Sequence, residues 1–153
     1  MPAEQVYDVL QCTRQLHADA ADYFAHLAQR SHQQRAKMLL GYLSTHEQKL
    51  ARTIDAVLED AEDRVLRTWV QSTDGAVHLK DALEPEDATA PEASFDELVE
   101  RGLQIDDAAV RLYEDLALRC EVPRLKGTFE NILQIERQEE KQLARQTLRG
   151  MDL

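Results

Sequence analysis

The sequence predicts an all-α fold. Ala, Leu, Glu, Gln and Arg dominate its 153 residues, all good helix formers, and only 5 Gly and 4 Pro interrupt them. Apolar residues recur at steps of three and four along four long stretches, the period of a helix with one face toward a core. With 43% hydrophobic and 31% charged residues, the chain suits a single domain over 1–153, large enough for a real core.

The first helix reads over about 3–30, with Val6, Leu10, Thr13, His17, Ala20, Ala21, Phe24 and Leu27 on one face. Ser31 and Gln34 form a capping-box pattern that restarts the chain as a helix over about 32–70, with a bend expected near Asp60. Residues 71–94, "QSTDGAVHLKDALEPEDATAPEAS", shift in composition: a turn signal at Asp74-Gly75, two prolines, and a run of small and acidic residues. They read as a connector with one short helix over 77–83. Ser94 and Glu97 are a second capping box, opening a helix to about 119. "CEVP" ends it, Pro123 fits the first turn of a fourth helix, and Gly150 is expected to stop that one after 149.

The spacings set the expected topology. Almost nothing joins the first helix to the second or the third to the fourth, so each pair should be an antiparallel hairpin, over about 3–70 and 95–150. The connector of about 71–94 is long enough to cross the length of the molecule. Two hairpins and one long crossover make a four-helix bundle.

A formal net charge of −11 argues against nucleic acid and anionic membrane as partners, since both need a basic patch. It also argues against a DNA-associated shell protein. No window approaches 18 apolar residues, and "MPAEQVYDVL" lacks the basic-then-apolar pattern of a secretory leader. Cys12 and Cys120 stand alone without CxxC spacing, which points to reduced thiols in a cytoplasmic protein and away from a disulfide framework or structural zinc.

Polar residues interrupt the apolar faces. In "LLGYLSTHEQKLARTI" the stripe is Leu39/Leu40, Leu43, Glu47, Leu50, Ile54, with a carboxylate at its centre. The fourth helix repeats the oddity as Leu125, Phe129, Ile132, Glu136, Glu139, Leu143. His17 lies on the first stripe. The third helix can place Asp106 on a face with Leu103, Val110 and Tyr113, although Ile105, Ala109 and Leu112 form a competing one. A buried unpaired charge costs several kcal/mol or more, so these residues ask for a counter-charge.

The two hairpins also repeat. Sliding the chain by 89 residues lays "QLHADAADYFAHLAQRSHQQRAK" over "QIDDAAVRLYEDLALRCEVPRLK" without a gap. Gln15/Gln104, Ala20/Ala109, Leu27/Leu116, Ala28/Ala117, Arg30/Arg119, Arg35/Arg124 and Lys37/Lys126 are identical pairs, and Phe24/Tyr113 is similar. The same offset lays Glu47 on Glu136, His17 on Asp106 and Leu50 on Glu139.

This pattern resembles the ferritin-like and rubrerythrin-like di-iron carboxylate proteins, which carry a Glu on the first helix of each hairpin and Glu-x-x-His on the second. The interval from Phe24 to Glu47, and from Tyr113 to Glu136, looks rubrerythrin-like in both halves. The chain departs from the family at His17 and Asp106, which stand for the first-helix glutamates, and at Leu50 and Glu139, which replace the two histidines. A four-cysteine rubredoxin-like motif is not found among its 153 residues, which hold 2 Cys.

The resemblance implies a di-iron or di-manganese centre, with His17 and Glu47 on one metal, Asp106 and Glu139 on the other, and Glu47 and Glu136 bridging. Such oxygen-rich ligation suits iron or manganese better than zinc. It further implies an oxidoreductase of peroxidase or ferroxidase type, with metal ions and peroxide or O2 as partners. The alternative is a degenerate, metal-free bundle acting as an interaction or regulatory module, with His17 hydrogen-bonded to a glutamate. A long thin bundle is also compatible with homo-oligomers. His46, about 100° from Glu47, is expected at the surface or an interface. His26, His32 and His78 are expected in solvent, Tyr42 and Tyr113 in the core or beside the centre, and Trp69 capping the core or an interface.

Overall fold

The computed structural model describes residues 3–71, 94–120 and 122–151. The expected connector over about 71–94 falls almost entirely outside them, as does His78. The described chain is mostly helical: α1 (Val6–Arg30), α2 (Gln34–Asp60), α3 (Asp63–Leu66), α4 (Phe95–Arg119) and α5 (Pro123–Met151), with one two-stranded sheet of β1 (Ala3–Gln5) and β2 (Trp69–Gln71). No helix among the described residues is long and apolar enough to cross a membrane.

Local chemistry sets most of these limits. Ser94 caps α4, its Oγ accepting from the Glu97 N–H at 3.2 Å, while Asp96 and Glu97 put negative charge in the first turn where the helix dipole favours it. Pro123 opens α5, since its missing N–H would have no helical partner there. Gly150 does not stop α5, which runs through it to Met151. The expected Ser31–Gln34 box is absent. Gln33 is the N-cap of α2 without a side-chain bond, and Ser31 instead closes α1 through its backbone N–H to the Leu27 carbonyl at 2.9 Å.

The ends of the first hairpin depart from an unbroken helical reading. α2 stops at Asp60 and the chain resumes as the short α3, whose Leu66 is buried. β2 then pairs antiparallel with β1, Ala3 opposite Gln71 and Gln5 opposite Trp69, and the Val6 N–H bonds the Thr68 carbonyl at 2.9 Å. Ala3–Gln5 is thereby strand where helix was expected. Trp69 lies on this ribbon 65% exposed, so it does not cap the core.

Contacts between side chains fix the helix directions. Arg14 pairs with Asp55 and Ser44 Oγ donates to the Ala21 carbonyl at 2.8 Å, so α1 and α2 run antiparallel. α4 lies beside α2 in the same direction. A Cβ on Gly102 would fall 2.6 Å from Leu43 Cδ2, and His46 meets Asp106 one turn further along both helices. Any larger residue at 102 would require the Leu43 side chain to shift. Glu62 with Arg124 and His46 with Glu139 make α5 antiparallel to α2. Ser94 is therefore level with the start of α2, and Gln71 with its end. The two are about 40 Å apart along the axis at 1.5 Å per residue.

Among the described residues the core has two apolar clusters. One gathers Val6, Leu10, Ile54, Leu112, Tyr113, Leu116, Leu125 and Phe129. The other gathers Phe24, Leu27, Leu39, Leu40, Leu43, Ile105 and Leu143. Between them lies a buried polar layer.

Candidate metal centre

All five residues singled out for ligation reach that layer. His17, Glu47 and Asp106 are fully buried, Glu136 is 1% exposed and Glu139 5%. Each arrives as a helical step in an apolar stripe. His17 lies one turn after buried Thr13, Glu47 four after Leu43, Asp106 four after Gly102, and Glu136 four after Ile132. On α4 both competing stripes are buried, Ile105, Ala109 and Leu112 beside Asp106, Val110 and Tyr113. Leu50, three residues after Glu47, is buried at 1% as an apolar filling.

The sixth member is His46, buried at 4% rather than set at the surface. The turn of about 100° from Glu47 points it not at solvent but at the seam with α4 and α5. A signal was available: His46 is three residues after Leu43 and four before Leu50, within a stripe wide enough for a helix packed on several sides.

The layer is built of two matching units. In the first, His17 Nδ1 donates to Glu47 Oε2 at 2.5 Å, and His17 Nε2 stands 3.1 Å from Glu136 Oε1. In the second, His46 Nε2 donates to both Asp106 oxygens at 2.8 and 2.9 Å, and His46 Nδ1 stands 3.2 Å from Glu139 Oε2. Each imidazole is thus anchored by one carboxylate and faces a second one from α5. Lys49 Nζ reaches Glu139 Oε1 at 2.6 Å from the outside.

Hydrogen bonding is incomplete. Among the described residues, His17 Nε2, His46 Nδ1, Glu47 Oε1 and both oxygens of Glu136 are buried without a hydrogen-bond partner. The 3.1 and 3.2 Å approaches are thus charge contacts off the hydrogen-bond line. Two ligands at right angles on an ion with bonds of about 2.1 Å stand about 3 Å apart, so these pairs have the spacing of neighbouring ligands. His46, Glu47 and Asp106 also offer one ligand atom each, all within 4.8 Å of one another. The donor set, four carboxylates and two imidazoles, suits iron or manganese, and the residues fit such ions.

Charge leads the same way. Burial would lower the His17 pKa, but Glu136 and Glu47 outweigh it and hold the pKa well above the usual imidazole value. Burial likewise opposes charge on His46, yet the Asp106 hydrogen bond and charge, with Glu47 and Glu139, lift it to about 9. Burial pushes Asp106 up to about 7, against the pull of His46. Even with both imidazoles charged, the positive groups at the layer, His17, His46 and Lys49, number one fewer than its four carboxylates.

Tyr42 stacks on His46 with ring centroids 6.2 Å apart. Its hydroxyl is pushed above the phenol value by burial, then by Glu139 and Asp106. Tyr113 is fully buried and donates to Thr13 Oγ1 at 2.9 Å, while Thr13 donates to the Leu10 carbonyl at 3.1 Å. His26 and His32 are exposed. The chain matches no protein-family model, no curated protein and no solved structure.

Proposed function

We propose that this chain is a ferritin-like, rubrerythrin-like bundle whose polar layer holds two divalent cations, iron or manganese, for work on iron, peroxide or O2. One observation carries the reading: His17 Nε2 with Glu136, and His46 Nδ1 with Glu139, meet at the spacing of neighbouring ligands, buried and without hydrogen bonds. Two antiparallel hairpins with α2 and α4 parallel support the bundle topology. The family's donor inventory, four carboxylates and two histidines, is also retained with its positions rearranged. Asp106 and His17 stand for the first-helix glutamates, and His46 supplies the imidazole lost at Leu50.

In this reading His17 and Glu136 hold one cation, and His46 and Glu139 the other. Glu47 and Asp106 hold the imidazoles in the tautomers that leave His17 Nε2 and His46 Nδ1 as lone pairs, the usual carboxylate–histidine support of a metal ligand. Glu47 Oε1 remains open for a shared contact. Bound iron or manganese would supply one-electron chemistry toward peroxide or O2 as the oxidant, with ferrous iron taken up as substrate serving as an electron donor. Both apolar clusters exclude water from the layer, which strengthens every charge interaction within it. Anaerobic addition of Fe(II) or Mn(II) to chelator-treated protein, then desalting and elemental analysis, should give about two ions per chain. Less than about a tenth of that overturns the proposal.

A second reading is supported by the raised imidazole pKa values. With His17 and His46 protonated, the same contacts become imidazolium–carboxylate pairs, and the bundle is a metal-free interaction module. That reading expects Glu47→Leu with Glu136→Leu to keep or raise the melting temperature in chelator, since packed hydrophobes often match a buried ion cluster. Unfolding of the double variant counts against it.

A further inference from the structure

We infer that Lys49 is a displaceable counter-ion that sets how fast divalent cations enter and leave the layer. The inference rests on the di-metal reading and adds a residue that reading does not use. Glu139 is the layer's boundary. Its Oε2 faces inward, 3.2 Å from His46 Nδ1, and its Oε1 faces outward, 2.6 Å from Lys49 Nζ. The Lys49 side chain is 60% exposed against 7% for Glu139, so the ammonium meets the carboxylate from the solvent side.

Tyr42, His46 and Lys49 are spaced four and three apart on α2 and share one face of that helix. Half-buried Tyr42 covers His46 by stacking one turn before it, and Lys49 stands one turn after. Between these two, the seam of α2 and α5 is where the layer comes nearest to water. His17, Glu47, Asp106 and Glu136 lie deeper.

Lys49 acts twice on an incoming cation. Its positive charge repels the ion during approach, and its hold on Glu139 Oε1 must be released before that carboxylate can turn fully to the ion. Release needs no change in the core, because the ammonium sits on a long flexible stem in solvent. The exchange is one cation for another at the same carboxylate, with no covalent bond made or broken in the protein.

The test is Mn(II) uptake by chelator-treated protein, followed by loss of the free-ion EPR signal, in wild type, Lys49→Gln and Lys49→Arg. Lys49→Gln should load about three- to tenfold faster to the same final content, an effect sized by a partly exposed ion pair plus the lost repulsion. Lys49→Arg keeps the charge and should stay within about twofold of wild type. Matching circular dichroism would confirm that each variant is folded. Uptake at the same rate in wild type and Lys49→Gln overturns the role of Lys49 while leaving the metal centre standing. No uptake in any of the three overturns both.

Discussion

His46 on α2 donates from Nε2 to both carboxylate oxygens of Asp106 on α4, at 2.8 and 2.9 Å, in a seam that excludes water. This bond joins the two hairpins at the level of the polar layer. Removing one partner leaves a buried charge alone. His46→Ala should therefore destabilise the chelator-treated protein by about 3 kcal/mol in urea unfolding. Asp106→Ala should cost a similar amount, and a double-mutant cycle should return a coupling of about 1–3 kcal/mol. Additive losses would show that the bond does not join the hairpins.

His46 also shows where pattern reading fails. Glu47, Glu136, Glu139 and His17 were visible in the sequence because each takes the place of an apolar residue in a stripe of steps three and four. His46 is one residue off the chosen stripe, and its burial depends on how many neighbours α2 has, a tertiary fact. The β1–β2 ribbon was hidden for a similar reason. Three residues near each end of the hairpin pair across more than sixty positions of chain, and neither run alternates strongly enough to announce a strand. The two capping boxes had equal claims on paper. Ser94 precedes a chain free to enter α4, whereas Ser31 is already used to close α1, so only one became a cap. The helix pairs and Pro123 followed from local chemistry and were readable, whereas the bend expected near Asp60 is a helix end.

The pH response should be the reverse of ordinary carboxylate pairing. His46 is raised from 6.5 to about 9, so its contribution is complete below pH 6.5 and is lost as pH rises through 9. Asp106, raised to about 7, adds a penalty as it ionises between its usual value and pH 7. In chelator, stability should fall between pH 6.5 and 9 by on the order of 2 kcal/mol. Mn(II) should restore it at pH 8 and above, because metal ligation requires the neutral imidazoles. Thermal melts across that range, with and without Mn(II), check both halves. A metal-free profile that rises toward pH 9 would contradict the charge assignment.

Glu136 carries two buried oxygens without hydrogen bonds. Glu136→Gln removes the charge, keeps the shape, and lets the amide hydrogen-bond His17 Nε2, its oxygen accepting from a protonated ring or its N–H donating to a neutral one, while Nδ1 still donates to Glu47. The variant in chelator should melt at or above wild type, a change of about 0–2 kcal/mol in its favour. Its metal content should fall by about half. A destabilised variant with full metal would place Glu136 outside the centre.

Tyr113 tests packing against chemistry. Its hydroxyl donates to Thr13 Oγ1, and burial, with Glu136 added, raises its pKa far above the phenol value. Tyr113→Phe loses one buried hydrogen bond and should cost about 1 kcal/mol, with metal content unchanged. Loss of bound metal would give Tyr113 a direct role in holding the centre.

The most direct test is anomalous scattering from crystals grown with Mn(II) or Fe(II). Two peaks are expected between the apolar clusters, one at His17 and Glu136 and one at His46 and Glu139. No peak inside the protein, or peaks only on surface carboxylates, would contradict it.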